Sequence, residues 1–520
     1  MSESQIIMNV RQHNWPIRKG WAIAAIGELI DSDGVFVDGD WVESKDQDIK
    51  GGVRLIQLAD IGDGIYRNRS NRYLTYAKAV ELGCTFLKPN DVLIARMPDP
   101  LGRACIFPGD SKLSVTAVDV CIVRTGSQGV YHRWLMFTIN SPDFRSAVVS
   151  LQSGSTRKRI SRSNLAKLKL PLPPLAEQHR IVARIEELFT KLDAGVKVLK
   201  ESKGQLKRYR QAVLKYAFEG KLTEEWREAH KGELEIASVL LERIRKAMSL
   251  RGTERRSKLK NNKNEIASLP ARNDKLTELP EGWVWTRMGE IAEIVSGNTP
   301  KRLDRISNEG KIPFYKVSDM NTEGNELFMR KANLNLTMDE IKTLKIKLFP
   351  ENTVIFPKRG GAILTNKKRI LSQKSSFDLN IMGAIPLHSV NKMFLFYWFQ
   401  KLDLGTIYDG SNVPQINHKD IEPLPIPLPP LPEQHKIVEE IERRFSVADE
   451  VDKIVNQSRK QAERLRQSIL KRAFEGRLVP QYPTDEPAEK LLERIKAEKA
   501  KLEYNKKGRG KTKEVYRGTY

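Results

Sequence analysis

The strongest constraint on this chain is a segment that occurs twice. PPLAEQHRIVARIEELFTKLD begins at Pro173 and PPLPEQHKIVEEIERRFSVAD at Pro429, a shift of 429 − 173 = 256 residues. The copies close on QAVLKYAFEGKL (Gln211 to Leu222) and QSILKRAFEGRL (Gln467 to Leu478), and 25 of the 50 positions from Pro173 to Leu222 are identical without a register slip. Upstream the likeness is weaker but keeps its order. GSTRKRISRSNLAKLKLPL (Gly154 to Leu172) matches GSNVPQINHKDIEPLPIPL (Gly410 to Leu428). KGWAIAAIGEL from Lys19 pairs with EGWVWTRMGEI from Glu281, and FLKPNDVLIA from Phe86 pairs with KLFPENTVIF from Lys347. One unit, a divergent domain followed by a preserved segment, has been duplicated.

The preserved segment reads as a long helix. Apolar residues recur at spacings of three and four, as Ile185, Phe189, Leu192, Val196 and Leu199 in the first copy. Ile437, Ile441, Phe445, Ala448 and Val455 continue the same stripe in the second. Pro432 and Glu433 suit a helix start, and Gly220 and Gly476 suit the left-handed residue that closes one. About 44 residues at about 1.5 Å each make a rod of roughly 65 Å, long enough for two such rods to pair as a coiled coil. Gly195 and Gly204 interrupt the first rod, but Val451 and Lys460 stand at the matching places, so the helix is expected to run through both glycines.

The divergent parts carry short β-type runs, VTAVDVCIV (Val115 to Val123) and TVIF (Thr353 to Phe356), and then one helical stretch each (132–150 and 391–403). The expected class is α+β: two mixed recognition domains separated and joined by two long helices in an antiparallel coiled coil, with internal pseudo-two-fold duplication. The boundaries are 1–172 for the first domain, 173–250 for the first helical repeat with a short return helix at LLERIRKA, and 251–278 for a basic linker. The second domain follows at 279–428, its helical repeat with LLERIKAE at 429–500, and a disordered basic tail at 501–520.

Lys plus Arg number 89 against 65 Asp plus Glu, a net charge of +24, which calls for a polyanionic partner. The basic residues do not gather on one amphipathic segment, so nucleic acid is favoured over a membrane surface. There is neither an apolar run of spanning length nor a signal-peptide pattern, and a cytoplasmic location is expected. Cys84, Cys105 and Cys121 have no metal-ligand or redox spacing and read as unpaired buried thiols.

Two copies within one chain drift apart unless both must make the same contact. The rods have stayed alike while the domains before them have not. The rods are therefore expected to hold each other and a partner present in two copies, while the domains recognise two unlike things. On B-DNA, two readers on one face sit about 34 Å apart, within reach of such rods.

The order of elements, with two Pro-Pro-Leu-x-Glu-Gln-His helix starts (Pro173 to His179 and Pro429 to His435) and two Ala-Phe-Glu-Gly ends (Ala217 to Gly220 and Ala473 to Gly476), resembles the specificity subunit of Type I restriction–modification systems over nearly the whole chain. The resemblance implies two target recognition domains, each reading one half of an interrupted, asymmetric DNA sequence, with the paired helices as a ruler for the gap. It implies two adenine-methylating subunits as partners, with translocating restriction subunits joining them. S-adenosylmethionine, ATP and Mg belong to those subunits, and no cofactor or metal is expected in this chain.

No GxxxxGK[ST] loop and no Asn-Pro-Pro-aromatic or Asp-Pro-Pro-aromatic methylase element occurs, and MPDPLG (Met97 to Gly102) resembles one only superficially. His179 and His435 fall at matching places without ligand-spaced partners and read as structural or partner-contacting. No catalytic residue is expected. The other readings are a stand-alone fused methylase–nuclease, which the missing cofactor elements count against, and a basic adaptor without sequence preference.

Arg reads guanine and Asn adenine, so DNA contacts are sought among basic residues of Gly-rich loops. In the first domain these are Arg67, Arg69 and Arg72 in YRNRSNRY, then Arg96 and Arg103, then Arg157, Lys158 and Arg159 in STRKRISR. In the second they are Lys301 and Arg302, Lys358 and Arg359, and Lys367, Lys368 and Arg369. Phe218 and Phe474, identical aromatics at the rod ends, are the expected partner-binding residues, with a coiled-coil core role as the alternative.

Overall fold

The computed structural model describes residues 18–515 apart from 155–156, 251–277, 302, 304–305, 409 and 411. The chain divides into two compact units. One comprises residues up to Lys200 together with those from Asn456, and the other Glu201–Val455. The proposed basic linker lies outside the described residues except for Glu278.

In the first unit Ala22–Ala25 pairs antiparallel with Lys169–Leu172, the strand that leads into the long helix. An antiparallel four-stranded sheet runs in the order Val35–Asp38, Val120–Arg124, Val92–Ala95, Ala104–Ile106. A three-stranded sheet places Val53–Ile56 between Tyr73–Leu74, antiparallel to it, and Leu113–Thr116, parallel to it. The second unit repeats this plan. Val284–Arg287 pairs with Pro425–Leu428. A sheet ordered Ala292–Ser296, Ile381–Pro386, Val354–Pro357, Arg369–Leu371 gains one further strand, Phe328–Met329. Ile312–Tyr315 lies between antiparallel Leu334–Leu336 and parallel Ser376–Phe377. The duplication thus covers the divergent domains in topology, where sequence identity has largely gone.

Three expectations need adjustment. VTAVDVCIV is two strands of different sheets, divided where Val120 N–H donates to Ala117 O at 2.9 Å. The stretch from His132 to Ser150 is two helices, because Ser141 caps a new one and Pro142 takes its first turn. The matching positive-φ residues are Asn90 and Asn352, an offset of 352 − 90 = 262, so FLKPNDVLIA and KLFPENTVIF align with one residue inserted.

Leu175–Phe218 and Leu431–Phe474 are uninterrupted helices of 44 residues, and the first passes through Gly195 and Gly204 as expected. In the first unit Asp193, early in one helix, pairs with Arg466, late in the other. In the second unit Arg210 pairs with Asp449 and Lys203 with Asp452. These pairings run antiparallel, and the two Asp–Arg pairs occupy matched places (449 − 193 = 256; 466 − 210 = 256). Ile185 and Ile441 are fully buried, but Leu192, Val196 and Leu199 are only half-buried, since two helices alone cover a seam incompletely.

Each unit's core takes in the start of one long helix and the end of the other. The first combines Ile181, Val182 and Ile185 with Leu470, Ala473 and Phe474, and the second combines Ile437, Val438 and Ile441 with Leu214, Ala217 and Phe218. The helices that follow, Ala237–Leu250 and Ala488–Val515, each lay an apolar face on the adjoining core. The second runs to Val515, and the remainder of the expected basic tail, 516–520, lies outside the described residues.

Candidate nucleic-acid interface

The repeated motif has a geometric cause. Glu177 and Gln178 are buried at the first long helix's start, as are Glu433 and Gln434 at the second's. Trp21 Nε1–H donates to Glu177 Oε2 at 2.9 Å, and Trp283 Nε1–H to Glu433 Oε2 at 2.7 Å. Burial pushes the Glu177 carboxyl above its usual value. Gln178 Nε2 donates to Pro173 O while its Oε1 accepts from Tyr131 N–H at 2.9 Å, and Gln434 does the same with Pro429 O and Asn391 N–H at 2.9 Å. These four side chains anchor each recognition domain to its helix. His179 stacks on Tyr131 with centroids 4.1 Å apart, and His435 Nδ1 lies 2.9 Å from Asn391 Nδ2; both are exposed.

Phe218 and Phe474 are buried, which gives both the core role and leaves neither ring open to a partner. Phe218 packs on Phe394, ring centroids 5.1 Å apart. The Ala-Phe-Glu-Gly ends are preserved for packing: Gly220 and Gly476 are left-handed, and an added Cβ would fall 2.4 Å from Pro280 Cγ and 2.1 Å from Arg18 Cδ.

The loop after Val53–Ile56 presents Arg67, Asn68 and Arg69 to solvent. It is held by Asp60, which is fully buried. Asp60 Oδ1 accepts from the Arg69 and Ser70 N–H groups at 2.5 and 2.7 Å, its Oδ2 accepts from Gln57 N–H at 2.8 Å, and its carbonyl accepts from Arg67 N–H at 2.8 Å. Arg54, itself buried, donates to Ser70 O at 2.8 Å and pairs with Asp110 at 3.0 Å. Arg67 and Arg69 have no acidic partner at ion-pair distance among the described residues, and Arg72 is exposed, donating to Gln47 Oε1 at 3.2 Å.

Arg96 and Arg103 are not free to read DNA. Arg103 is 4 % exposed and donates to four carbonyls, Ile61, Leu58, Pro100 and Met97, at 2.7, 2.9, 3.0 and 3.2 Å. It clamps the 97–100 turn onto the 58–61 turn. Arg96 donates to Ile160 O at 3.1 Å and pairs with Asp38, tying the 157–162 loop to the sheet. That loop exposes Arg157, Lys158 and Arg159, the last 3.4 Å from Asp119. The corrected role of both buried arginines is to build the loops that carry the exposed ones.

The second unit uses the same devices. Arg369, half-buried, donates to Met320 O at 3.1 Å, as Arg103 does to its turn. Lys368 is 1 % exposed, donates to Leu402 O at 2.6 Å and Asn366 Oδ1 at 2.7 Å, and is pushed down by burial to about 8. Lys367 bonds Asn321. The 367–369 segment is therefore framework rather than a reading loop. Lys301 and Arg359 are exposed, and Arg302 lies outside the described residues.

Lys358 donates to Ser296 Oγ at 3.0 Å, and that hydroxyl also meets His418 Nε2 at 3.0 Å, with Glu422 3.4 Å from the other ring nitrogen. Serine, histidine and carboxylate in series suggest a nucleophile. The matched node of the first unit, however, is Asp38 with Arg96 and Arg162 (418 − 162 = 256), which makes this a loop tie.

Sequence reasoning missed Asp60 and its counterpart Asp319, both buried, and with them the exposed pair Arg330 and Lys331. LADIGDG and VSDMNTEGN share little beyond Asp and Gly, and only the common turn after matched strands equates them. Cys84, Cys105 and Cys121 are buried free thiols as expected, burial pushing the first two up to about 12. Among the described residues no helix is long and apolar enough to cross a membrane.

Two domains of one topology, each presenting basic loops from a buried polar framework and each anchored identically to a repeated helix, define a duplicated recognition subunit. A family model described as Type I restriction modification DNA specificity domain matches residues 19–201 and again 280–459. The chain belongs to this family and is a Type I specificity subunit. Its relatives include the Type I restriction enzyme EcoDI specificity subunit of Escherichia coli, 28% identical over 67% of this chain and 72% of that one. The EcoBI specificity subunit of Escherichia coli is 27% identical over 87% of each chain. A solved chain from work on complex assembly and conformational transition of the type I R-M system shares the fold at TM-score 0.61, with 17% identity over 89% of this chain and 99% of that one.

Proposed function

We propose that this chain reads one asymmetric, interrupted DNA sequence, one half-site per recognition domain, and carries out no chemistry itself. One observation carries the reading: a single framework occurs twice with unlike exposed loops, on helices that remain identical at half of their matched positions. Exposed arginines and lysines at 67–72, 157–159, 301 and 359 supply phosphate and base-edge contacts, of which the phosphate contacts are sequence-blind. The long helices set the gap. Methyl transfer and cleavage belong to partner subunits, which bring S-adenosylmethionine, ATP and Mg; the assembly works in the cytoplasm.

Two methyltransferase subunits dock on the helices' outer faces, and restriction subunits join through them. Supporting this are identical, exposed residues at matched places of the two helices. In the first helix these are Lys197, Gln205 and Arg208, and in the second Lys453, Gln461 and Arg464. Beside them lie exposed apolar residues at matched places, Val198 with Ile454 and Tyr209 with Leu465. This face replaces Phe218 and Phe474 as the docking surface.

The test is adenine-methylome mapping in cells where this chain is the sole specificity subunit beside its methyltransferase partner. One interrupted, non-palindromic motif is expected. Methylation at no interrupted motif, or methylation by the purified chain alone, would overturn the reading.

A further inference from the structure

The loop that follows Ile312–Tyr315 occupies the same place in the second unit as the Arg67–Arg69 loop in the first, between the 3-10 turn and the outer strand of the three-stranded sheet. It is more heavily organised. Asn325, fully buried, donates from Nδ2 to Asp319 O at 2.8 Å and Lys331 O at 2.7 Å, and accepts on Oδ1 from Arg330 N–H at 2.8 Å and Lys331 N–H at 3.0 Å. Those four bonds use the full capacity of the amide. Asp319 accepts from Asn333 Nδ2 at 2.6 Å and Lys316 N–H at 2.7 Å. The framework fixes the backbone of two exposed cations. Arg330 has no acidic partner at ion-pair distance among the described residues and rests 5.7 Å over the Phe328 ring. Lys331 Nζ donates to Glu323 O at 2.9 Å and has no acidic partner at ion-pair distance among the described residues, and the Glu326 carboxylate is turned to Gly324 N–H at 3.0 Å.

Resting on the DNA-reading function above, we propose that Arg330 and Lys331 are the second domain's counterparts of Arg67 and Arg69 and contact the DNA of its half-site. The 367–369 basic run only supports them. A buried amide and a buried carboxylate hold this backbone rigid, and rigidity at an exposed cation serves orientation toward a ligand, not packing. Arg330, exposed and 5.7 Å over the Phe328 ring, is free to present its guanidinium bidentately to a base edge. Lys331 is a point charge suited to a phosphate.

The test titrates the intact complex with its methyltransferase partner against the duplex identified by methylome mapping, across about 50 to 200 mM salt. Arg330→Ala/Lys331→Ala should weaken binding tenfold or more, and the salt slope should fall by about 1, near 0.9 for the one phosphate left without its cation. Arg330→Ala alone should relax discrimination within one half-site and leave the other sharp. Wild-type affinity, slope and discrimination in the double variant would overturn the assignment. Should the alanine pair melt early, Arg330→Gln/Lys331→Gln keeps the side-chain stems and gives the same readout. A wild-type complex with equal affinity for all duplexes would sink the functional reading itself. A wild type that prefers one bipartite site, with a variant that prefers it equally, sinks only the loop assignment.

Discussion

Glu433 accepts the Trp283 indole N–H at 2.7 Å while also receiving Thr223 Oγ1–H and the Arg227 guanidinium, each at 2.7 Å. One fully buried carboxylate thus joins the entry to the recognition domain's first strand, the long helix and the segment after the Ala-Phe-Glu-Gly end. Removing it leaves the Arg227 charge without its carboxylate and the indole without an acceptor. Glu433→Ala should cost about 3 to 5 kcal/mol, the range for breaking a buried pair by deleting one partner. Calorimetry should show a fall of roughly 10 °C in the unfolding midpoint. Glu177 has Trp21 but no comparably close cation, so Glu177→Ala should cost less, about 1 to 3 kcal/mol. Equal losses in the two variants would contradict this account.

Arg103 and Arg67 are two arginines of one loop system, and the proposed function gives them opposite duties. Arg103→Ala leaves four carbonyls without their donor, so the unfolding midpoint should drop, with a loss of about 2 to 4 kcal/mol. Arg67→Ala removes an exposed side chain with no ion pair among the described residues and should stay within about 0.5 kcal/mol of wild type, while DNA affinity and its salt dependence fall. Thermal melts and salt-dependent DNA titrations on both variants separate the roles. A stable Arg103→Ala protein would show that the clamp is dispensable.

These pairs mark the limit of what the sequence discloses. The rods were legible because identity at 25 matched places and a period of three and four report helix packing directly. The loops were not, because a basic residue near glycine looks the same whether its guanidinium faces water or four carbonyls. Arg96, Arg103 and Lys368 satisfy the composition rule for DNA contact, yet long-range partners such as Asp38, Ile61 and Leu402 decide their burial. Phe218 and Phe474 misled for a related reason: identity in both copies reflects a repeated core, which constrains side chains as firmly as a shared partner does.

Lys368 gives a pH signature. Its ammonium sits in the second unit's interior with its group value pushed from 10.5 down to about 8, so the folded state releases a proton that the unfolded chain still holds between those values. Stability contributed through this group therefore rises with pH across the window from about 8 to 10.5 and is flat below it. Lys368→Met removes the titration. Denaturant melts between pH 7 and pH 10 should show wild type gaining on the variant as pH rises. Parallel curves would mean that the ammonium is not held at a cost.

The proposed ruler can be tested by insertion into both long helices. Lys200 and Asn456 stand at matched places near the middle of the two 44-residue helices (456 − 200 = 256). Four residues inserted after each extend both helices by about 6 Å, since each residue adds about 1.5 Å. The antiparallel pairings of Asp193 with Arg466 and of Arg210 with Asp449 lie on either side of the insertions and keep their own partners. At about 3.4 Å per base pair, a ruler lengthened in this way moves the half-sites apart by about 2 base pairs. Methylome mapping of the variant should return both half-sites unaltered and a longer gap. Shorter inserts of two residues turn each helix by about 200° and should abolish methylation by breaking the seam. An unaltered gap in the four-residue variant would remove the helices from the measurement of distance.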